Sequence, residues 1–159
     1  MTNDIVEYLR TQEPGEAVVA AIVQFLGEDS YLLEVDANER SMSHRFGMFL
    51  QSQLPEWHVD CEYNRDGVDP KRIEYLELVP DDEGTEWKTA FPDIIAHQHG
   101  TDDNYLVTEF KKSTNSVDRR VDFAKLRGYQ QSLGYRYALF VELSAGGKSG
   151  IESVEWISV

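Results

Sequence analysis

The stretch FPDIIAHQHGTDDNYLVTEFKKS, residues 91–113, constrains the fold more than any other part of the chain. Two apolar runs, 91–97 and 105–111, flank the turn HGTDDN, whose Gly, Asp and Asn suit a tight reversal of the backbone. The spacing predicts a hairpin of two paired strands. Strand interiors avoid unpaired charge, yet one run carries Asp93 near its start and the other ends in Glu109, Phe110, Lys111 and Lys112. Residues two apart on a strand share a face, so Glu109 and Lys111 project together while Phe110 points into a core. Hairpin pairing sets Asp93 across from that same end. Two carboxylates and an ammonium then converge, and paired carboxylates offer the hard oxygen ligands that suit Mg²⁺. A metal held there polarises a phosphoryl oxygen and acidifies a bound water. A neighbouring lysine can orient that water or offset charge developing on the phosphate.

The rest of the chain bounds what surrounds this hairpin. At 159 residues it suits a single domain with a substantial core. A hydrophobic fraction of 41% with eighteen aromatics excludes a disordered polyelectrolyte. The lone Cys61 cannot form an internal disulfide and suggests no zinc cluster. The start MTNDIVEYLR lacks a basic leader followed by an apolar run, so no signal peptide is expected. No apolar segment approaches the roughly 20 residues needed to span a bilayer. The expectation is a cytoplasmic protein with no membrane partner.

Along the chain, residues 3–10 read as a short helix capped by Thr2 or Asn3, and 16–27 as a second helix ending at Gly27. Residues 36–54 predict a longer amphipathic helix, with Met42, Phe46, Phe49 and Leu50 at helical spacing. WHVDCEYNR, 57–65, alternates apolar and polar residues and predicts a strand with one wet face, shared by Asp60 and Glu62. KRIEYLEL is ambiguous between strand and helix turn, and PDDEGTE reads as an acidic loop. Residues 116–134 predict a helix capped by Ser116 and stopped by Gly134. YRYALFVEL, 135–143, is a buried strand, and a flexible SAGGKSG loop leads to a last alternating strand. The order implies a mixed sheet of four or five strands covered by helices, a three-layer α/β sandwich.

Pro92-Asp93, a hairpin-length gap and then Glu109-Phe110-Lys111 resemble the signature of the PD-(D/E)XK nuclease superfamily. That superfamily has a core of helix, three strands, helix and strand, the order read here over 36–143. The resemblance implies a restriction-endonuclease-like core in that range, with 1–35 as a helical extension and 144–159 as an added strand. It implies that Asp93 and Glu109 bind Mg²⁺, with Mn²⁺ as a substitute, and that Lys111 assists the attacking water. The carbonyl of Phe110 would be a further ligand. The family often adds a glutamate on the first core helix, and Glu39 in ANERS is the candidate. Asp36-x-x-Glu39 is equally a capping-box arrangement, in which Glu39 reaches back to a backbone N–H. QQSLGY resembles the Gln-x-x-x-Tyr element of the exonuclease-like branch, with Gln130 or Gln131 in the supporting place.

The function so implied is metal-dependent hydrolysis of DNA, or of RNA. The net charge of −14 argues against a nucleic-acid binder, but its distribution does not. From Lys111 to Arg136 seven basic residues face two acids, a local +5 that leaves −19 elsewhere. Lys112, Arg119 and Arg120 are the expected phosphate contacts, and a homodimer or partner protein could supply further surface. The alternative is a catalytically inactive nuclease-fold protein, an acidic interaction module in a larger complex. His97 and His99 could face one metal, but with no Cys or third His at ligand spacing they read as surface residues of the turn. His44 and His58 have no evident partners. No Ser-His-Asp set, phosphate-binding Gly-rich loop or dinucleotide fingerprint is present.

Overall fold

The structure, a computed structural model, describes residues 1–63 and 91–158 together with the backbone of 65–66, 69–70, 72–74 and 87–89. Helix α1 (Asn3–Leu9) is capped by Thr2, whose hydroxyl accepts the Ile5 N–H at 3.4 Å. Helix α2 (Gly15–Glu28) buries Val18, Ile22 and Phe25, an apolar stripe at helical spacing. It runs through Gly27, where the sequence suggested a stop. A helical glycine costs about 1 kcal/mol, and the burial of Phe25 outweighs it. A short α3 (Ser30–Glu34), not anticipated from the sequence, follows directly.

Helix α4 (Glu39–Gln53) begins later than residue 36 because Asn38 caps it, its side chain accepting the Ser41 N–H at 2.8 Å. Asp36 adopts a left-handed φ of 51° outside the helix. The capping box expected for Asp36 and Glu39 is therefore absent. Strand β1 (His58–Cys61) is shorter than the expected 57–65, since Glu62 turns to a φ of 51° and ends the strand, its N–H donating to the Asp93 carbonyl at 3.2 Å. Glu62 does not share the face of Asp60; it pairs with Arg40 at 2.7 Å.

Short strands β2 (Arg65–Asp66) and β3 (Asp69–Pro70) pair with each other, as do β4 (Arg72–Glu74) and β5 (Trp87–Thr89). The acidic PDDEGTE loop and most of KRIEYLEL lie outside the described residues. Strands β6 (Ile94–His97) and β7 (Asn104–Lys112) form the expected antiparallel hairpin. Helix α5 (Arg119–Leu133) is capped by Asp118 rather than Ser116, the Asp118 carboxylate accepting the Arg120 N–H at 2.9 Å. Gly134 ends it at φ 68°, a left-handed conformation that glycine adopts without Cβ strain. Strands β8 (Tyr137–Ser144) and β9 (Gly150–Ile157) complete a five-stranded sheet of order β1-β6-β7-β8-β9. Only β7 and β8 run parallel, α5 being the crossover that parallel strands require.

Helices cover both faces of this mixed sheet. On one face Met42, Phe46 and Leu50 of α4 join α2 over Ile94, Leu106, Phe110 and Val141. The Phe46 and Phe110 rings sit 5.0 Å apart, so Phe110 enters the core as its strand position predicts. Gly47 lets α4 approach β1 closely: a Cβ there would meet Cys61 Sγ at 2.9 Å. On the other face Leu126 and Tyr129 of α5 pack on Ile95, Val107, Ala138 and Phe140. Among the described residues no helix is long and apolar enough to cross a membrane.

Candidate functional site

Asp93 stands one residue before β6, and the pairing of Ile94 with Thr108 brings it beside Glu109 of β7. Its Oδ2 accepts the Phe110 backbone N–H at 2.7 Å. Glu109 is only 2% exposed. Its Oε2 faces Lys125 Nζ at 3.3 Å, while its buried Oε1 has no hydrogen-bond partner among the described residues. Burial first, then the charge of Asp93, pushes the Glu109 carboxyl up to about 8. Burial likewise raises Asp93 to about 6, with Glu39 and Asp122 adding to the effect and the Phe110 amide and Lys125 opposing it. Both carboxyls thus sit above the ordinary carboxylate range, Glu109 the further of the two because it is the more deeply buried.

Lys111 projects to the same face as Glu109, as the strand period requires. Its ammonium is buried in an ion pair with Asp122 of α5. Lys125 lies 3.6 Å from the other oxygen of Asp122. Burial lowers Lys125, but Glu109, Asp122 and Asp93 outweigh it and hold the ammonium charged. Burial and the nearby Glu109 carboxylate push the Tyr129 hydroxyl well above its ordinary value. Asp122, Lys125 and Tyr129 were missed as site residues in the sequence reading. Their spacing of three and four puts them on one helical face around Leu126, a signal obscured by counting Asp122 and Lys125 only as charges.

Glu39 opens α4, and its carboxylate reaches across to the end of β7. Its Oε1 accepts the Lys112 backbone N–H at 3.0 Å and Asn115 Nδ2 at 2.9 Å. Glu39 thus joins the edge of the Asp93–Glu109 cluster instead of folding back on its own helix. Gln130 turns its Oε1 inward, buried without a hydrogen-bond partner among the described residues, whereas Gln131, at the matching spacing from Tyr135, is exposed. Tyr135 is buried in the α5 core.

The expected phosphate contacts all have partners inside the chain. Lys112 Nζ donates to the Ala37 carbonyl at 3.0 Å and pairs with Asp36 at 2.8 Å. Arg119 grips the buried Glu142 through both oxygens, and Arg120 pairs with its own cap, Asp118, at 2.5 Å. An open pocket beside Arg119 is lined by Ser113, Glu142, Gly146, Lys148 and Glu152. The histidine reading requires correction: His97 is buried, 3% exposed, and both His97 and His99 contact Asp60. His58 is also partnered, its ring stacking on that of His99 at 4.0 Å. The register of β1 on β6 brings these groups together, and spacing along the chain could not show it.

The donor set at Asp93 and Glu109 fits a hard divalent cation. It offers carboxylate oxygens, one of them buried with no hydrogen-bond partner among the described residues, on carboxyls whose burial favours a neutralising charge that a cation would supply. Searches with the chain match no family model, no curated protein and no solved structure.

Proposed function

We propose that the chain is a metal-dependent nuclease of the PD-(D/E)XK type, hydrolysing phosphodiester bonds of DNA or RNA. One observation carries this reading: Asp93 and Glu109, from the two strands of one hairpin, share one corner of the sheet, and the Glu109 Oε1 has no hydrogen-bond partner among the described residues. The order α4, β1, β6, β7, α5, β8 agrees with the core that the resemblance implies. Asp93, Glu109 and the carbonyl of Phe110 would hold Mg²⁺ or Mn²⁺. The cation would supply Lewis-acid polarisation of the phosphate and a more acidic water.

The side chains do the rest. The Phe110 amide fixes the Asp93 carboxylate, and Lys125 fixes one oxygen of Glu109, so neither acid must reorganise on binding. Lys111, braced by Asp122, presents an ammonium to the water or to a phosphate oxygen. Glu39, tied to the Lys112 amide, would support waters bound to the cation. Lys112, Arg119 and Arg120 would contact flanking phosphates by exchanging their present carboxylate partners.

That last requirement favours a second reading. With Lys112, Arg119 and Arg120 each held by a carboxylate, an acidic interaction module without catalysis uses the same fold. Cleavage assays on single- and double-stranded substrates, with Mg²⁺ and with chelator, separate the two. Cleavage that needs the metal and vanishes in Glu109→Gln supports the nuclease. Calorimetric silence towards Mg²⁺ and Mn²⁺, with no cleavage, selects the module.

A further inference from the structure

At the opposite end of β6 a second set of metal-ligating side chains meets. Asp60 of β1, His97 at the end of β6 and His99 in the turn after it bring one ligand atom each within 4.8 Å of one another. His97 Nε2 lies 2.9 Å and His99 Nε2 2.6 Å from the same oxygen, Asp60 Oδ2. A register slip between Ala96 and His97 marks a local irregularity in the ladder, a device that re-aims side chains. The neighbours hold the set in place. His58 stacks on His99 at 4.0 Å, and its Nδ1 accepts the His99 backbone N–H at 3.3 Å. Tyr63 lies against both rings, 4.8 Å from His97 and 5.7 Å from His99.

We propose that Asp60, His97 and His99 form a transition-metal site that takes Zn²⁺ or a similar borderline-soft divalent ion. Two imidazoles and one carboxylate favour such ions, whereas the all-oxygen pair Asp93 and Glu109 favours Mg²⁺ or Mn²⁺. The geometry needs little change. Ligands about 2.0–2.2 Å from a tetrahedral ion stand roughly 3.3–3.5 Å apart. The present separations at Asp60 Oδ2 fall short of this by less than about 1 Å. The buried His97 and half-buried Asp60 form a fixed floor, and the exposed His99 leaves a side open for water as a fourth ligand. A bound ion would staple the edge strand β1 to β6 and to the turn before β7, independently of the proposed nuclease chemistry.

The test uses the full chain, stripped with chelator and titrated with Zn²⁺ by calorimetry and with Co²⁺ by visible absorption. One equivalent of Zn²⁺ should bind, Co²⁺ should show d–d bands, and the melting temperature should rise with Zn²⁺. His99→Ala and Asp60→Asn, both at accessible positions, should each weaken binding by about 100-fold or more, beyond what loss of an outer-shell partner causes. Glu109→Gln should retain the full equivalent. Circular dichroism on the two site variants separates loss of the ligand from loss of the fold. No binding of either ion by the folded parent protein overturns the proposal, and so does Zn²⁺ binding that survives in both variants.

Discussion

Asp93 Oδ2 accepts the Phe110 N–H at 2.7 Å, so a side chain from the start of β6 occupies a backbone donor of β7 beside Glu109. The bond makes Asp93 a structural residue as well as a candidate ligand. Asp93→Asn keeps an acceptor and should hold its melting temperature, while Asp93→Ala should cost about 1–3 kcal/mol by stranding the amide. Both should lower metal-dependent cleavage by more than about 100-fold, since outer-shell losses alone cost 10–100-fold. Thermal melts beside a cleavage assay check this, and wild-type turnover in the Asn variant would remove Asp93 from the site.

The carboxyl pair makes stability depend on pH. Asp93 rises from 3.8 to about 6 and Glu109 from 4.5 to about 8, so the folded state binds protons that the unfolded chain releases. Their contribution is full below about pH 4 and is lost as pH rises to about 8. The loss is on the order of a few kcal/mol. Urea denaturation of metal-free protein across that window should show the decline, and Glu109→Gln should flatten it. Saturating Mg²⁺ at pH 8 should restore stability, because the cation replaces the proton. A profile that is flat, or that rises with pH, would contradict raised carboxyls at this pair.

Glu39 separates a tether from a support for catalysis. Glu39→Ala should cost about 1–2 kcal/mol, as the Lys112 amide and Asn115 lose their acceptor. Glu39→Gln keeps an acceptor and should shift stability by less than about 1 kcal/mol, the loss of a charge at a helix start. If Glu39 supports the metal waters, the Gln variant should nevertheless cleave far more slowly. Unchanged turnover would leave Glu39 with the tether alone.

The two arginines should behave differently. Among the described residues, Arg119→Ala leaves the buried Glu142 with Ser153 Oγ, at 3.0 Å, as its one side-chain donor. The expected cost is about 1–3 kcal/mol, less than for a fully buried pair because Arg119 is half-exposed. Arg120→Ala removes a pair with the exposed Asp118 and should leave the melting temperature unchanged. If Arg120 contacts a phosphate, its loss should lower the slope of log affinity against log salt by about 0.7–0.9, for any sequence. Fluorescence anisotropy across a salt series measures that slope, and an unaltered one would make this a solvated helix face.

Local periodicity made much of this protein readable from its sequence. Two apolar runs around the turn HGTDDN announced the hairpin, and the strand period put Glu109 and Lys111 on one face and sent Phe110 into the core. Gly134 marked the end of α5 because only the backbone conformation at that position mattered. These features depend on neighbours two to four residues away, the range over which strand and helix periods act. What only the tertiary structure decided involves partners from separate elements. Asp122 and Lys125 meet Lys111 and Glu109 because the crossover lays α5 over β7. Glu39 finds the Lys112 amide instead of its own helix because Asn38 takes the cap. Asp60 meets His97 and His99 because β1 pairs with β6 in one register, and a shift of one residue would turn Asp60 to the other face. Register and helix docking are set by the packing of the whole core, so chain spacing alone carries no record of them.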